Sequence, residues 1–206
     1  MPVCARGHSV ARLLRSRSDL RFPRRSLTFP LDTEARHVRT DFDLCDEAQP
    51  LRNALWLSRG TPEFWKLLKE CDSRVRLQPP GTKEQIEKLR GFAGGSLPES
   101  LEDFLHCSNG LFFDFDEIVF PTDLAIRETL RMREMGTGIP VDLGHMLFIG
   151  ATGDGDMFAF ARSKSGVWLG DVYQWDHETE SLFSCGLGIY GYVAGHVSWW
   201  HSVKPE

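Results

Sequence analysis

Apolar side chains recur every three or four residues in four stretches of this chain, and each stretch carries helix-start signals. Such spacing places the apolar side chains on one face of an α-helix. Thr61-Pro62, Thr82 with Gln85 in a capping box, Leu97-Pro98 and Pro121-Thr122 stand at the expected helix starts. We therefore predict helices over residues 61–72, 82–93, 98–107 and 122–135.

After Leu111 the apolar period changes from three or four residues to two. Phe113, Phe115 and Val119 share one parity while Asp114 and Asp116 take the other, which predicts one half-buried strand. Further strands are predicted near residues 146–150, 157–161, 172–175 and 181–184. Turns are predicted at 153–156, 164–166 and 177–179, and a closing helix over 188–200. Short connections favour an antiparallel sheet of about five to six strands packed by helices, an α+β fold.

The N-terminal segment, residues 1–60, has a different composition from the rest. Residues 1–40 contain nine arginines against three acids, Asp19, Asp32 and Glu34, and are interrupted by Pro23 and Pro30. We predict a basic, disordered extension followed by a single domain over residues 61–206. Three interpretations of the extension stay open: a tail that binds nucleic acid or an acidic surface, a transit peptide, or a start codon assigned too early.

Composition limits the kinds of site that this chain can contain. Hydrophobic residues make up 41%, with 14 Phe and 6 Trp, enough for a core without a disulfide or metal. No run of 18 apolar residues occurs, so no membrane segment is predicted. The five cysteines form no CxxC pair, which argues against a disulfide framework or zinc site and suits a reducing cytoplasm. No cofactor is expected.

Three short motifs resemble catalytic or metal-binding sites, but a structural role is the preferred interpretation of each. Residues 153–156 (GDGD) lack the later ligands of a calcium loop and predict a strand–strand turn. Asp176-His177-Glu178 resembles an acid–base cluster, but the side chains of consecutive turn residues point in different directions and would not meet at one substrate. The adjacent pair His106-Cys107 cannot converge on one helix, so Cys107 is predicted to be a small core residue. A small hydrolase or metal-dependent enzyme remains the least favoured alternative.

Charge gives the remaining indication of function. Residues 61–206 contain 13 basic and 22 acidic side chains, a net charge of −9. Such a domain is poorly suited to nucleic acid and well suited to a basic protein partner, and an ordinary solvated acidic surface stays open as the alternative. The candidate partner-binding residues are the acids of the predicted turns and hairpins: Asp114, Asp116, Glu117, Asp154, Asp156, Asp176, Glu178 and Glu180.

Three segments in this order resemble a known family: SLPESLEDFLHCSNG (96–110), LFIGATGDGDMFAF (147–160) and VYQWDHETESLF (172–183). Together they resemble the SUKH superfamily. The resemblance carries over fold-defining positions only, namely Leu97, Pro98, Phe104, Leu105, Asn109, Gly110, Gly150, Gly155 and Asp156.

The resemblance implies a non-catalytic, protein-binding domain. For bacterial members it implies an immunity protein that neutralises a basic toxin, of nuclease or deaminase type, by occluding its active site. For fungal members it implies a scaffold-like regulator of cell-wall synthesis or signalling. The long basic N-terminus departs from the family pattern, and fold alone does not fix function.

Overall fold

The computed structural model describes residues 49–136, 142–186 and 188–202. In these ranges the helices are α1 (Gln49–Leu57), α2 (Pro62–Cys71), α3 (Lys83–Phe92), α4 (Glu99–Cys107), α5 (Thr122–Met135) and α6 (Gly188–Ser202), with a 3-10 helix at Leu143–His145. The strands are β1 (Val75–Leu77), β2 (Leu111–Phe113), β3 (Asp116–Val119), β4 (Met146–Ala151), β5 (Met157–Arg162), β6 (Trp168–Asp176) and β7 (Ser181–Gly186). The predicted α+β class is confirmed.

The strands form two antiparallel sheets rather than the single sheet of five to six strands that the sequence predicted. One sheet has the order β1-β2-β3 and the other the order β4-β5-β6-β7. The sheets meet where β3 lies beside β4, and the Phe120 N–H donates to the Ile149 carbonyl at 2.6 Å. From α6, the buried Tyr192 hydroxyl donates to the Ile118 carbonyl at 2.9 Å. One helix therefore holds the junction between the two sheets.

The helix starts follow the local signals in the sequence. Thr82 and Gln85 form the predicted capping box at the start of α3. Asn109 follows α4, and its side-chain oxygen accepts a hydrogen bond from the Thr122 N–H at 3.0 Å. Gly110 has φ +123, and a Cβ there would lie 3.0 Å from the Val119 carbonyl oxygen. The Asn-Gly pair therefore connects the end of α4 to the start of α5.

The closing helix α6 is buried along most of its length, as predicted. Its Tyr190 ring packs edge-on against Phe64 of α2, with 5.1 Å between ring centroids. Near its end, Trp200 stacks on Phe113 of β2 at 5.9 Å. Aromatic pairs of this geometry add stability beyond the area they bury. The C-terminal aromatic residues therefore close the core against both helices and strands.

Two predictions about individual side chains were wrong. Phe115 does not continue the strand of Phe113, because Asp114 adopts φ 55 and the chain turns there. Phe115 is 90% exposed at the tip of the β2–β3 hairpin. Cys107, predicted to be in the core, is exposed at the end of α4. In both cases the prediction continued an apolar pattern to or beyond the residue at which the strand or helix ends.

Helix α1 lies within the segment that the sequence analysis assigned to the N-terminal extension. Its Leu55 is fully buried, and the helix packs against α6. Burial of a leucine contributes roughly 1.5–3 kcal/mol. The predictions made for residues 1–48 lie outside the described residues.

Candidate functional site

Three acidic loops lie together at one end of the two sheets. They are the β2–β3 turn with the first residue of β3 (114–116), the β4–β5 turn (152–156) and the β6–β7 turn with the last residue of β6 (176–180). We call these three loops the acidic loop surface. Antiparallel pairing places the β4–β5 and β6–β7 turns at the same end of their sheet. The junction between β3 and β4 brings the β2–β3 turn to that end as well.

The first two loops are joined by a direct hydrogen bond. The Asp116 carboxylate accepts from the Gly153 N–H at 2.8 Å. A Cβ on residue 153 would lie 2.8 Å from that carboxylate oxygen, so a larger side chain would displace it. Within the second loop the Thr152 hydroxyl donates to Asp154. The GDGD segment is therefore a turn that receives a carboxylate from the neighbouring hairpin.

Asp156 joins the second loop to the third. One of its oxygens accepts from the His177 backbone N–H at 3.2 Å and from the His177 ring at Nδ1 at 2.9 Å. Its other oxygen accepts from the Gln174 side-chain amide at 2.6 Å. The hydrogen bond to Asp156, followed by the charges of nearby acids, raises the pKa of His177. The His177 ring also lies against Gly155, whose φ of +100 favours glycine.

Asp176 organises the third loop. It is 4% exposed, and one carboxylate oxygen accepts from the backbone N–H groups of Glu178 and Thr179, each at 3.0 Å. This Asx turn directs Glu178 and Glu180 into solvent, where both are exposed. Glu180 adopts φ 50, which completes the tight return into β7. In this loop Asp176 therefore holds the backbone, whereas Glu178 and Glu180 face solvent.

Glu117 stands apart from the other predicted partner-binding acids. It lies on β3, where its charge is influenced by Glu128 and Arg127 of α5. Burial, and then the nearby Glu128 carboxylate, raise the pKa of Glu117. The remaining seven candidate acids belong to the three loops. The structure therefore brings seven of the eight predicted positions to one end of the fold and directs Glu117 toward α5.

An exposed aromatic residue lies among these acids, and the sequence pattern did not predict its exposure. Phe115 stands between Asp114 and Asp116 at the tip of the β2–β3 hairpin. Single exposed apolar side chains are common on protein surfaces, so the interest of Phe115 lies in its position beside the acids. The signal for it was Asp114, a residue that tolerates positive φ, placed between two short apolar runs.

At the motifs that resemble catalytic or metal-binding sites, the side chains make contacts that hold the fold together. Over residues 49–136, 142–186 and 188–202, the His177 ring hydrogen-bonds to Asp156, and no hydroxyl or thiol nucleophile bonds to it. Within the same ranges no three potential metal-ligating side chains come together. The helices that the structure describes are all too short or too polar to cross a bilayer.

Comparison with known proteins assigns the chain to a family. The model of the SMI1 / KNR4 family (SUKH-1) matches residues 80–186. That span runs from the loop before α3 to the end of β7 and contains all three acidic loops. No curated protein matches the chain. The match extends over more than half of the sequence, and the chain belongs to the SMI1 / KNR4 family (SUKH-1).

Proposed function

We propose that the acidic loop surface binds a basic protein, and that this protein is a toxin domain of nuclease or deaminase type. The chain would then be an immunity protein that covers the toxin's active site. Enzymes that act on nucleic acids have basic substrate clefts, because those clefts must attract phosphates. An acidic surface of similar extent would compete for the same cleft. The proposed place of action is the cytoplasm.

The observation that carries this proposal is the convergence of three acidic loops at one end of the fold, with the exposed Phe115 in the first of them. Hydrogen bonds accepted by the Asp116 and Asp156 carboxylates cross between loops and hold them in position before a partner arrives. Such preorganisation lowers the entropy lost on binding. Exposed charges of one sign accelerate association with a partner of the opposite sign. The exposed Phe115 beside these acids belongs to the aromatic residues that are enriched in protein interfaces.

The acids of this surface have two different proposed roles. Asp114, Asp154, Glu178 and Glu180 are exposed and would face the partner. In contrast, the loop-holding acids accept hydrogen bonds from backbone N–H groups, so their removal would disturb the fold of the loops. These are Asp116, Asp156 and Asp176. A test of binding should therefore change only the first set.

The test compares two full-length variants that each lose three negative charges. The site variant carries D114N, D154N and E178Q. The control variant carries E70Q, E84Q and D103N, which are exposed positions on α2, α3 and α4. Each protein is used as bait in lysate of the source organism, and captured proteins are identified by mass spectrometry. The gene of any captured basic protein is then expressed alone and together with the bait.

Support would be a basic protein that stops growth when expressed alone and is neutralised by the wild type. Its association rate constant should fall at least tenfold with the site variant, and only slightly with the control. Phe115→Ala should increase its dissociation rate constant. Capture of cell-wall or signalling proteins that are not toxic would overturn the immunity proposal and favour the regulator. Equal binding by both triple variants would reject the acidic loop surface.

A further inference from the structure

A second charged feature lies at the opposite end of the four-stranded sheet from the acidic loops. A cavity of about 160 Å³ lies where β4 begins, β5 ends and β6 begins. It is lined by Phe92 and Gly94 at the end of α3, Arg133 of α5, His145 of the 3-10 helix, Arg162 and Trp168. Strand β5 has six residues, so the cavity lies about 17 Å from the acidic loop surface.

Both arginines are held in place by aromatic rings and backbone carbonyls. The Arg162 guanidinium carbon lies 4.2 Å from the centre of the Trp168 ring, and its Nη2 donates to the Ser96 carbonyl at 3.2 Å. The Trp168 indole N–H donates to the same carbonyl at 2.9 Å. Arg133 lies 5.2 Å from the Phe92 ring centre, and its Nη2 donates to the Met146 carbonyl at 3.1 Å.

Neither arginine has its charge balanced locally. The Nε atoms of Arg133 and Arg162 are both buried and make no hydrogen bond. Across the described ranges, no carboxylate lies within ion-pair distance, 4.0 Å, of either guanidinium. Burial, and then the charge of Arg162, lower the pKa of Arg133, as expected for neighbouring cations. Two buried donors without acceptors are costly, because each loses its bond to water and gains none in return.

We propose that this cavity binds one small oxyanion, of the phosphate or carboxylate class, between the edges of Arg133 and Arg162. A guanidinium edge offers parallel N–H groups that match two oxygens of such an anion. The aromatic rings beside the guanidinium groups limit the directions from which an anion can approach. The volume is roughly ten times the ~15 Å³ that a single water requires. His145 stands at the cavity and contacts Asp142 at 3.4 Å, so an anion would rely chiefly on the arginines.

The site is distinct from the acidic loop surface, so this proposal can fail without affecting the proposed function. Its direct test uses the two buried Nε–H groups as reporters in ¹H–¹⁵N NMR spectra of the full-length protein. Inorganic phosphate and, separately, sodium acetate are titrated in at constant ionic strength set by chloride. R133K and R162K assign the two signals, because each substitution removes one of them.

The expected result is a saturable shift of both Nε–H signals with one anion, at a stoichiometry of one by calorimetry. R162Q should weaken binding roughly ten- to a hundredfold, because one charged donor pair is lost. The matched control is R127Q, an exposed arginine of α5 that contacts Glu128 at 3.3 Å. Arg162 lies at the end of β5 and is the primary test. R133Q also removes a bond to Met146 and R162Q a bond to Ser96, so each variant is compared where its circular dichroism matches the wild type.

The two titrations distinguish the chemical classes. Saturation by phosphate alone assigns a phosphate-class ligand, and saturation by acetate alone assigns a carboxylate. Shifts that do not saturate below about 20 mM with either anion, or that persist unchanged in R162Q, would overturn the proposal. An equal loss in R127Q would also overturn it, since the effect would then be general electrostatics.

Discussion

The junction between the two sheets makes Gly150 the most sensitive glycine in the described fold. A Cβ built on Gly150 overlaps the Ile118 carbonyl oxygen, lies 2.8 Å from the Tyr192 hydroxyl oxygen and 3.0 Å from the Ile118 carbonyl carbon. The closest group is backbone of the adjacent strand and cannot rotate away. Gly150→Ala must therefore push β3 away from β4 and break the bond from Tyr192.

The expected cost follows from the contacts that are lost. Overpacking a well-filled core costs about 1–3 kcal/mol. The Tyr192 hydroxyl is buried, and a buried donor without its acceptor costs about 1–3 kcal/mol. The Phe120–Ile149 hydrogen bond at the same junction contributes about 1 kcal/mol. We expect G150A to lower the free energy of unfolding by about 3–5 kcal/mol, a large fraction of a typical domain's stability.

Urea unfolding followed by far-UV circular dichroism measures this change, provided that the slope m is unchanged. Gly91→Ala is the matched control, because a Cβ there meets nothing within 4 Å and α3 should gain roughly 0.5–1 kcal/mol. Tyr192→Phe isolates the hydroxyl and should cost about 1–2 kcal/mol. The double variant G150A/Y192F should cost less than the sum of its parts, because that bond is lost once. A G150A protein within about 1 kcal/mol of the wild type would refute the reasoning.

Three further predictions concern titratable groups. Hydrogen bonds from Arg74 hold the pKa of Asp72 well below its usual range, so this carboxylate stabilises the fold above about pH 4 and less as pH falls. D72N should lower the free energy of unfolding, measured with urea, by about 2 kcal/mol at pH 7, and its difference from the wild type should shrink near pH 3. A difference that stays constant between pH 7 and pH 3 would contradict the prediction. The pKa of His177, raised by Asp156, should exceed 6.5 in an NMR titration and should fall in D156N. This pair therefore stabilises the fold below about pH 6.5, and less as pH rises through the raised pKa. An unchanged His177 titration midpoint in D156N would contradict the prediction. Burial raises the pKa of Cys185 to about 12, so DTNB should modify the exposed Cys107 and spare Cys185 until urea unfolds the protein; modification of both at equal rates would contradict it.

Local signals in the sequence were sufficient for most elements of the fold. The capping box at Thr82, the Asn109-Gly110 stop and the Pro121-Thr122 start act over a few residues, so they can be recognised without tertiary information. Each of these features was found where predicted. The helix α6 was also predicted, although its three glycines weaken intrinsic propensity, because burial of its aromatic face decides its structure.

The hairpin formed by β2 and β3 could not be predicted from local pattern. The alternation through Phe113, Phe115 and Val119 fits one long strand as well as a hairpin with a tight turn. The choice depends on whether Asp114 takes positive φ, which tertiary packing decides. With a turn there, Phe115 changes from a core residue into the tip of the acidic loop surface. The φ angle of Asp114 thus decides whether Phe115 is a core residue or an exposed residue beside the candidate acids.

The distribution of charge along the four-stranded sheet follows from the order of its turns. In an antiparallel meander, alternate turns fall at opposite ends. The β4–β5 and β6–β7 turns are acidic and share one end, whereas the β5–β6 connection begins after Arg162, contains Lys164 and lies at the other. The acids of the first end are joined by Asp156 and His177, and the arginines of the second end line a cavity. Because the strands fix the separation of the two ends, a basic protein at one and a small anion at the other could bind without sharing a residue.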